Sequence, residues 1–326
     1  MRRLKHSLII LSVIVAALWV VNSSVWVGTE HHRTRLLAHR GVHQVYAGKE
    51  RHRDTCNASS VAPIVHPFIA NTLDSMSAAF AHGADVVELD VHLTPDGVFA
   101  VFHDWTLGCQ TDGEGVTHRQ NFAYLQSLDI GYGYSADAGK SYPLRGSGVG
   151  KMPSLTEVLQ AQLGGQYLIN FKSRRAEEGD ALHKMLQRNP SFGSQIFAVY
   201  GGAEPVRALR QRQPEMAGFD RDSLKQCFTR YLALGWSGYV PHACRQGLLA
   251  VPANYAPFLW GWPHRFTQRL AKLGTDVILW GPYDGSGFSS GIDQPSQLAL
   301  IPEHFDGLVW SNKIEVLGPL IGAHLD

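Results

Sequence analysis

The sequence predicts a (β/α)8 barrel of the TIM type preceded by an N-terminal transmembrane helix, and three observations carry that prediction. Short apolar runs alternate with helical stretches from residue 34 to 326, the rhythm of a parallel sheet with crossover helices. Eight such units fit the length. Polar, chemically able side chains stand at the C-terminal ends of several of the runs, where barrels of this type carry their sites.

Taken in order, Arg2, Arg3 and Lys5 precede an apolar run at 7–21 that, extended by 25–27, approaches the length of a bilayer crossing. Asn22-Ser23-Ser24 is a weak cleavage site. An uncleaved signal anchor over residues 1–33, with its basic tip in the cytoplasm, is therefore expected over a removed signal peptide. The catalytic domain, residues 34–326, would then lie on the periplasmic or extracellular side of the inner membrane. Strands are expected at 35–39, 85–92, 98–103, 167–172, 195–200, 215–219, 237–241, 276–281 and 307–311. Helices are expected at 75–82, 154–162, 178–188, 204–213, 224–234 and 263–273. With 98–103 as the partner of a hairpin-like extension, eight strands remain for the barrel. Two connections exceed ordinary loops, 42–70 and 105–152. On the catalytic face such excursions shape substrate access; the alternative is an insertion that never touches ligand.

The 326 residues are 44% hydrophobic and 17% charged with a net charge of +1, which allows a large core and excludes a disordered chain. Basic residues are dispersed along the sequence, and no dinucleotide or Walker-type glycine loop follows a strand, so neither nucleic acid nor a nucleotide cofactor is expected. No protein partner is predicted. His31, His32, His52 and His66 lie in polar irregular stretches and read as solvated or locally hydrogen-bonded. Trp236, Trp260, Trp280 and Trp310 read as core before pocket wall. Cys56, Cys109, Cys227 and Cys244 suit an oxidising compartment. Chain proximity favours Cys227 with Cys244, leaving Cys56 with Cys109; free buried thiols are the alternative.

The chemistry begins at Ala84-Asp85-Val86-Val87-Glu88-Leu89-Asp90-Val91. Strand alternation puts Glu88 and Asp90 on one side and Val87, Leu89 and Val91 on the other. Two buried carboxylates together need a cation, either a hard divalent metal or Lys and Arg side chains. Nearby strand ends supply His39-Arg40-Gly41, His103-Asp104 and Asn170-Phe171-Lys172. A lone histidine there is ordinarily structural, but two beside an acid pair, an arginine and a lysine point to a site.

Together with Asn71-Thr72, Gly83-Ala84-Asp85 and Thr94-Pro95-Asp96-Gly97, these residues resemble, in order and spacing, the glycerophosphodiester phosphodiesterase family. The match is densest over 36–115, and the 170–172 strand extends it. Beyond about residue 188 only the barrel rhythm and the closing 305–309 strand add to it. The resemblance implies metal-dependent hydrolysis of a small-molecule or lipid-derived glycerophosphodiester. His39 and His103 would be general acid and base, and Glu88 and Asp90 would be ligands of one divalent cation, Ca²⁺ or Mg²⁺. Asn170 stands where the family has a further metal-binding glutamate, and can offer a neutral carbonyl oxygen. Ala70 stands where the family has a glutamate before Asn-Thr. Arg40 and Lys172 would share the phosphate charge. Two other readings are a phospholipase D-like lyase acting on lysolipids or sphingolipids, and a barrel that binds phosphodiesters without turnover.

Overall fold

The structure is a computed structural model describing residues 2–27, 33–46, 56–285 and 290–325; the readings of His31, His32 and His52 fall outside them. Among the described residues nine strands are present: β1 (Arg35–His39), β2 (Val86–Leu93), β3 (Phe99–Val101), β4 (Gln166–Phe171), β5 (Ile196–Gly201), β6 (Gly218–Asp220), β7 (Leu248–Pro252), β8 (Asp276–Trp280) and β9 (Leu308–Ser311). The helices are α1 (Arg2–Asn22), α2 (Leu73–Ala81), α3 (Phe122–Ser127), α4 (Leu155–Ala161), α5 (Ala176–Arg188), α6 (Ala203–Arg212), α7 (Arg221–Leu234), α8 (His264–Ala271) and α9 (Ile314–Leu325).

Eight strands pair in parallel in the order β6-β5-β4-β2-β1-β9-β8-β7, and β3 pairs antiparallel with β2 as the expected hairpin extension. The two end strands, β6 and β7, lie side by side without a ladder, so this is a parallel (β/α)8 near-barrel. Alternation sorts the side chains into two cores. Leu37, Val86, Leu168, Ala198, Phe219 and Ile278 fill the barrel interior, while Val87, Leu89, Ile169 and Val199 point outward into the layer shared with the helices. Two residues beyond the interior layer on β1, β2, β4 and β5 come His39, Glu88, Asn170 and Tyr200, facing the same lumen at the C-terminal end. The inward face of β2 thus changes from apolar at Val86 to acidic at Glu88 and Asp90.

Three expectations are corrected. The strand expected at 237–241 does not form: Gly235–Ser237 is a 3-10 turn, Gly238 has φ of 84°, and Tyr239 is half exposed. The barrel strand is instead β7, built from the fully apolar run Leu248-Leu249-Ala250-Val251. Helices α3 and α9 are additional to the expected set.

The membrane-spanning segment is the third correction. Among the described residues no helix is long and apolar enough to cross a membrane. The expected continuation through 25–27 fails because Ser24–Trp26 forms a separate 3-10 turn after α1. Asn22 is buried and ties the helix end to the barrel, donating to the Trp236 carbonyl at 2.9 Å and accepting from Arg269 at 2.8 Å. Trp19 packs on Trp260 with centroids 4.7 Å apart.

Both cysteine pairings favoured by the sequence are present. Cys227–Cys244 ties α7 to the turn before β7, and Cys56–Cys109 ties the two long connections together. Those connections share a small core of their own, including Ile69, Phe102, Leu107, Leu128 and Tyr134. They are a packed appendage beside the C-terminal ends of β2 and β3.

Candidate active site

Register brings the predicted residues together. His39 on β1 pairs with Glu88 on β2, Asp90 pairs with Asn170 on β4, and Asn170 with Tyr200 on β5. Arg40 leaves β1 in a left-handed conformation, φ 58°, and Asn71 before α2 does the same at φ 63°. Such backbone is unusual for residues with a Cβ and clusters at functional sites. Gly41 follows at φ 77°, where a Cβ would stand 2.6 Å from the Ser75 backbone. Only glycine lets the chain turn there and press β1's end against α2.

Asp90 is the electrostatic centre. It is fully buried, with Arg40 Nε 3.0 Å from Oδ2 and Lys172 Nζ 3.3 Å from Oδ1. Asn71 donates to Oδ2 at 3.0 Å and Asn170 to Oδ1 at 2.9 Å. Burial alone would raise its pKa, but Lys172 and Arg40 outweigh burial and hold the carboxyl well below its ordinary value. Glu88 is equally buried and is pushed up to about 8, by burial first and then by the neighbouring Asp90 charge. One acid of the pair is thus ionised and the other carries a proton at neutral pH.

Glu88 Oε1 accepts from the Tyr200 hydroxyl at 2.7 Å, while Oε2 is buried, has no hydrogen-bond partner among the described residues, and lies 3.7 Å from His39 Nε2. An orphaned buried carboxylate oxygen is a ligand atom in waiting. Of the three expected ligands Glu88 thus offers the open oxygen, to which a cation at the Glu88 end would bind, while both Asp90 oxygens are met by Arg40, Lys172 and two amides. The structure also turns the Asn170 amide nitrogen onto Asp90, a contact that a third carboxylate could not make.

The histidines differ in what holds them. His39 Nδ1 lies 2.6 Å from Asn312 Oδ1, and Asn312 Nδ2 donates onward to Asp293 at 3.0 Å. Because the amide nitrogen is committed to Asp293, the amide oxygen accepts from His39, which leaves Nε2 as the basic nitrogen facing Glu88. Burial, then Arg40 and His43, keep the His39 pKa well below 6.5. His103 Nδ1 is instead 2.7 Å from the Asp104 carboxylate. Its pKa lies at about 4, depressed by burial and by Arg40 and Lys172, with Asp104 working the other way. An anion placed against Arg40 and Lys172 would offset their effect and return His103 toward its protonated form. With Asp90 charged and Glu88 protonated, the two cations leave an excess positive charge where a phosphodiester would sit.

All seven predicted site residues, His39, Arg40, Glu88, Asp90, His103, Asn170 and Lys172, converge at this mouth. Trp310 is core, fully buried, and it also packs on His39 with centroids 4.9 Å apart. Residues the sequence reading gave no role are Asn312, Asp293, Tyr200 and His43, the last buried with its ring 5.4 Å from that of His39. Asn312 directly follows β9, and the strand-end rule that singled out His39 would have found it.

Comparison with known proteins places these features in a group. The model of the glycerophosphoryl diester phosphodiesterase family matches residues 39–284. A glycerophosphodiester phosphodiesterase of Caldanaerobacter subterraneus is 32% identical over 103 residues, 31% of this chain and 38% of that relative. The chain aligns with well under two thirds of the length of the curated relatives it matches. Among solved structures, a glycerophosphoryl diester phosphodiesterase domain from Mycobacterium tuberculosis superposes with a TM-score of 0.61 at 16% identity, covering 89% of this chain and 99% of that one. An Oleispira antarctica phosphodiesterase, solved with the product sn-glycerol-3-phosphate, superposes with a TM-score of 0.52 at 19% identity, covering 88% and 96%. At these identities the structural matches establish the fold.

Proposed function

The chain belongs to the glycerophosphoryl diester phosphodiesterase family, and on that premise we propose that it hydrolyses glycerophosphodiesters to glycerol phosphate and an alcohol, with His39 and His103 moving the protons. The observation that carries this reading is the convergence of two differently supported histidines on one buried carboxylate pair flanked by Arg40 and Lys172. The neutral Asn312 contact leaves His39 Nε2 as the base, and the Asp104 carboxylate stabilises His103 as the acid. With a glycerol headgroup, His39 takes the proton of the hydroxyl beside the ester. That oxygen bonds to phosphorus, the bond from phosphorus to the alcohol breaks, and His103 protonates the departing alkoxide. Water then opens the cyclic phosphate with the two roles exchanged. Arg40 and Lys172 hold the phosphoryl oxygens throughout.

Glu88, Asp90 and Asn170 would hold one Ca²⁺ or Mg²⁺, which when bound supplies Lewis-acid polarisation of a phosphoryl oxygen. Glu88 must lose its proton to bind, so affinity for the cation is expected to rise between about pH 6 and pH 8, as its pKa of about 8 requires. Incubation of glycerophosphocholine and a lysolipid with Ca²⁺, Mg²⁺ or Mn²⁺, followed by phosphorus NMR, tests the activity. A monoester product supports hydrolysis, an accumulating cyclic phosphate indicates the lyase, and no turnover of any substrate rejects the proposal. Glu88→Gln is expected to raise the metal concentration needed for half-maximal rate by about tenfold or more. Equal activity of variant and parent in excess chelator would remove the cation from the scheme.

We further propose that the barrel works outside the cytoplasm on the inner membrane. Two disulfides support the oxidising compartment. The apolar side chains of Ile9, Ile10, Val13, Val20 and Val21, all exposed on α1, support attachment to lipid. Full-length chain recovered with sedimented membranes is the expected result; recovery wholly in the soluble fraction rejects it.

A further inference from the structure

A second basic site lies away from the catalytic mouth. A cleft of about 1480 Å³ runs between α6, α7 and the segments that lead into β7 and β8, over the seam where β6 and β7 lack a ladder. Arg207, Arg210, Lys225, Arg230, Arg245 and Lys272 line it, against two carboxylates, Asp220 and Asp222. The whole chain has a net charge of only +1, so the fold has gathered here the basic residues that look dispersed in the sequence. Both carboxylates are already taken: Arg207 lies 3.2 Å from Asp220 and 3.1 Å from Asp222.

The remaining cations divide by what holds them. Arg210 donates to the carbonyls of Met216, Gly218 and Gln246, and Arg245 donates to that of Val240, so these two are held in the floor by neutral acceptors, with Asp220 near Arg210 and the Tyr239 ring 5.6 Å from Arg245. Lys225, Arg230 and Lys272 are exposed on the walls and have no acidic partner among the described residues. Cys227–Cys244 joins α7 to the turn before β7 and holds two of the lining elements in place. Cations held in the floor with exposed ones around a concave rim are what a multiply charged anion requires, since each phosphate group can meet a separate cation. A ligand with one charge would leave most of them unmet.

We propose that this cleft binds a phosphate-rich anion, a compound or headgroup bearing several phosphate charges, independently of the catalytic site. Titration calorimetry on the full-length chain with inorganic tripolyphosphate is the first arm. Vesicles containing phosphatidylinositol bisphosphate, whose headgroup bears several phosphate groups, against phosphatidylcholine as control, are the second. Triple substitution Lys225→Glu, Arg230→Glu and Lys272→Glu, all at exposed positions, is expected to weaken binding at least about tenfold. Lys172→Ala in the catalytic mouth should leave the same binding in place. Raising salt from about 50 mM to about 300 mM should weaken it in the parent and have less effect in the triple variant. Loss of tripolyphosphate binding in the triple variant supports a free ligand, and loss of vesicle binding supports a lipid headgroup. Equal affinity of parent and triple variant for both probes, absence of binding by the parent, or tighter binding to a DNA duplex than to either probe would overturn the proposal.

Discussion

His39→Ala should lower kcat on glycerophosphocholine by at least about 10²-fold, and His103→Ala by a similar factor, with little change in KM. The reason lies in how the two rings are held. His39 has its Nδ1 hydrogen bonded to a neutral amide that Asp293 orients, so the opposite nitrogen, 3.7 Å from Glu88, is the one that takes a proton, and the group at Nδ1 is an amide rather than a carboxylate. His103 has that carboxylate, 2.7 Å away in Asp104. Neither ring is the main anchor of the phosphate, which falls to Arg40 and Lys172, so binding should survive the loss of either histidine. Purified variants with intact folds and near-parental turnover would remove these residues from proton transfer. A reversed assignment is also detectable. With a substrate whose leaving group needs no protonation, such as a nitrophenyl ester, His103→Ala should recover most of its activity and His39→Ala should not.

The barrel and the mouth were legible because both follow from local pattern. Period-two alternation in 84–91 placed Glu88 and Asp90 together without any knowledge of what lay opposite, and β2 is buried along its whole length as that apolar run required. Strand-end histidines could be recognised by the same logic. Their supporting partners could not: Asn312 reaches His39 across 273 residues of chain, and only the β1–β9 register brings them side by side. The strand misplaced at 237–241 shows the limit of composition. Trp236 and Tyr239 look like core residues, but Gly238 breaks the extended backbone between them, and the apolar β7 run starts ten residues later. The basic cleft was invisible for the same reason as Asn312, since its six cations come from elements spread between α6 and the end of α8.

The largest effect on stability should come from Asp90→Ala, at about 3–5 kcal/mol, because the substitution leaves Arg40 buried beside no assured counter-charge and strips two amides of their acceptor. Glu88 sets the lower part of that range. Burial and then the Asp90 charge raise the Glu88 pKa, so removing Asp90 shifts it down and lets Glu88 take over part of the pairing with Arg40 and Lys172. The two acids also act with opposite sign on pH dependence. The folded-state pKa of Asp90 lies well below its ordinary 3.8, so its contribution is complete above that value and is lost as pH falls through the folded-state pKa. Glu88, raised to about 8, favours the folded state while protonated, and that contribution fades as pH climbs from its ordinary 4.5 through about 8. Urea unfolding at about pH 5, 7 and 8.5 should therefore show the parent losing stability over both intervals, more in the lower than in the upper, and Glu88→Gln losing less of it. Divalent cation should restore the parent at the alkaline end, since it binds the ionised form. An Asp90→Ala variant within about 1 kcal/mol of the parent would mean that Arg40 and Lys172 are solvated in solution, and the buried charge pair would lose its place at the centre of the site.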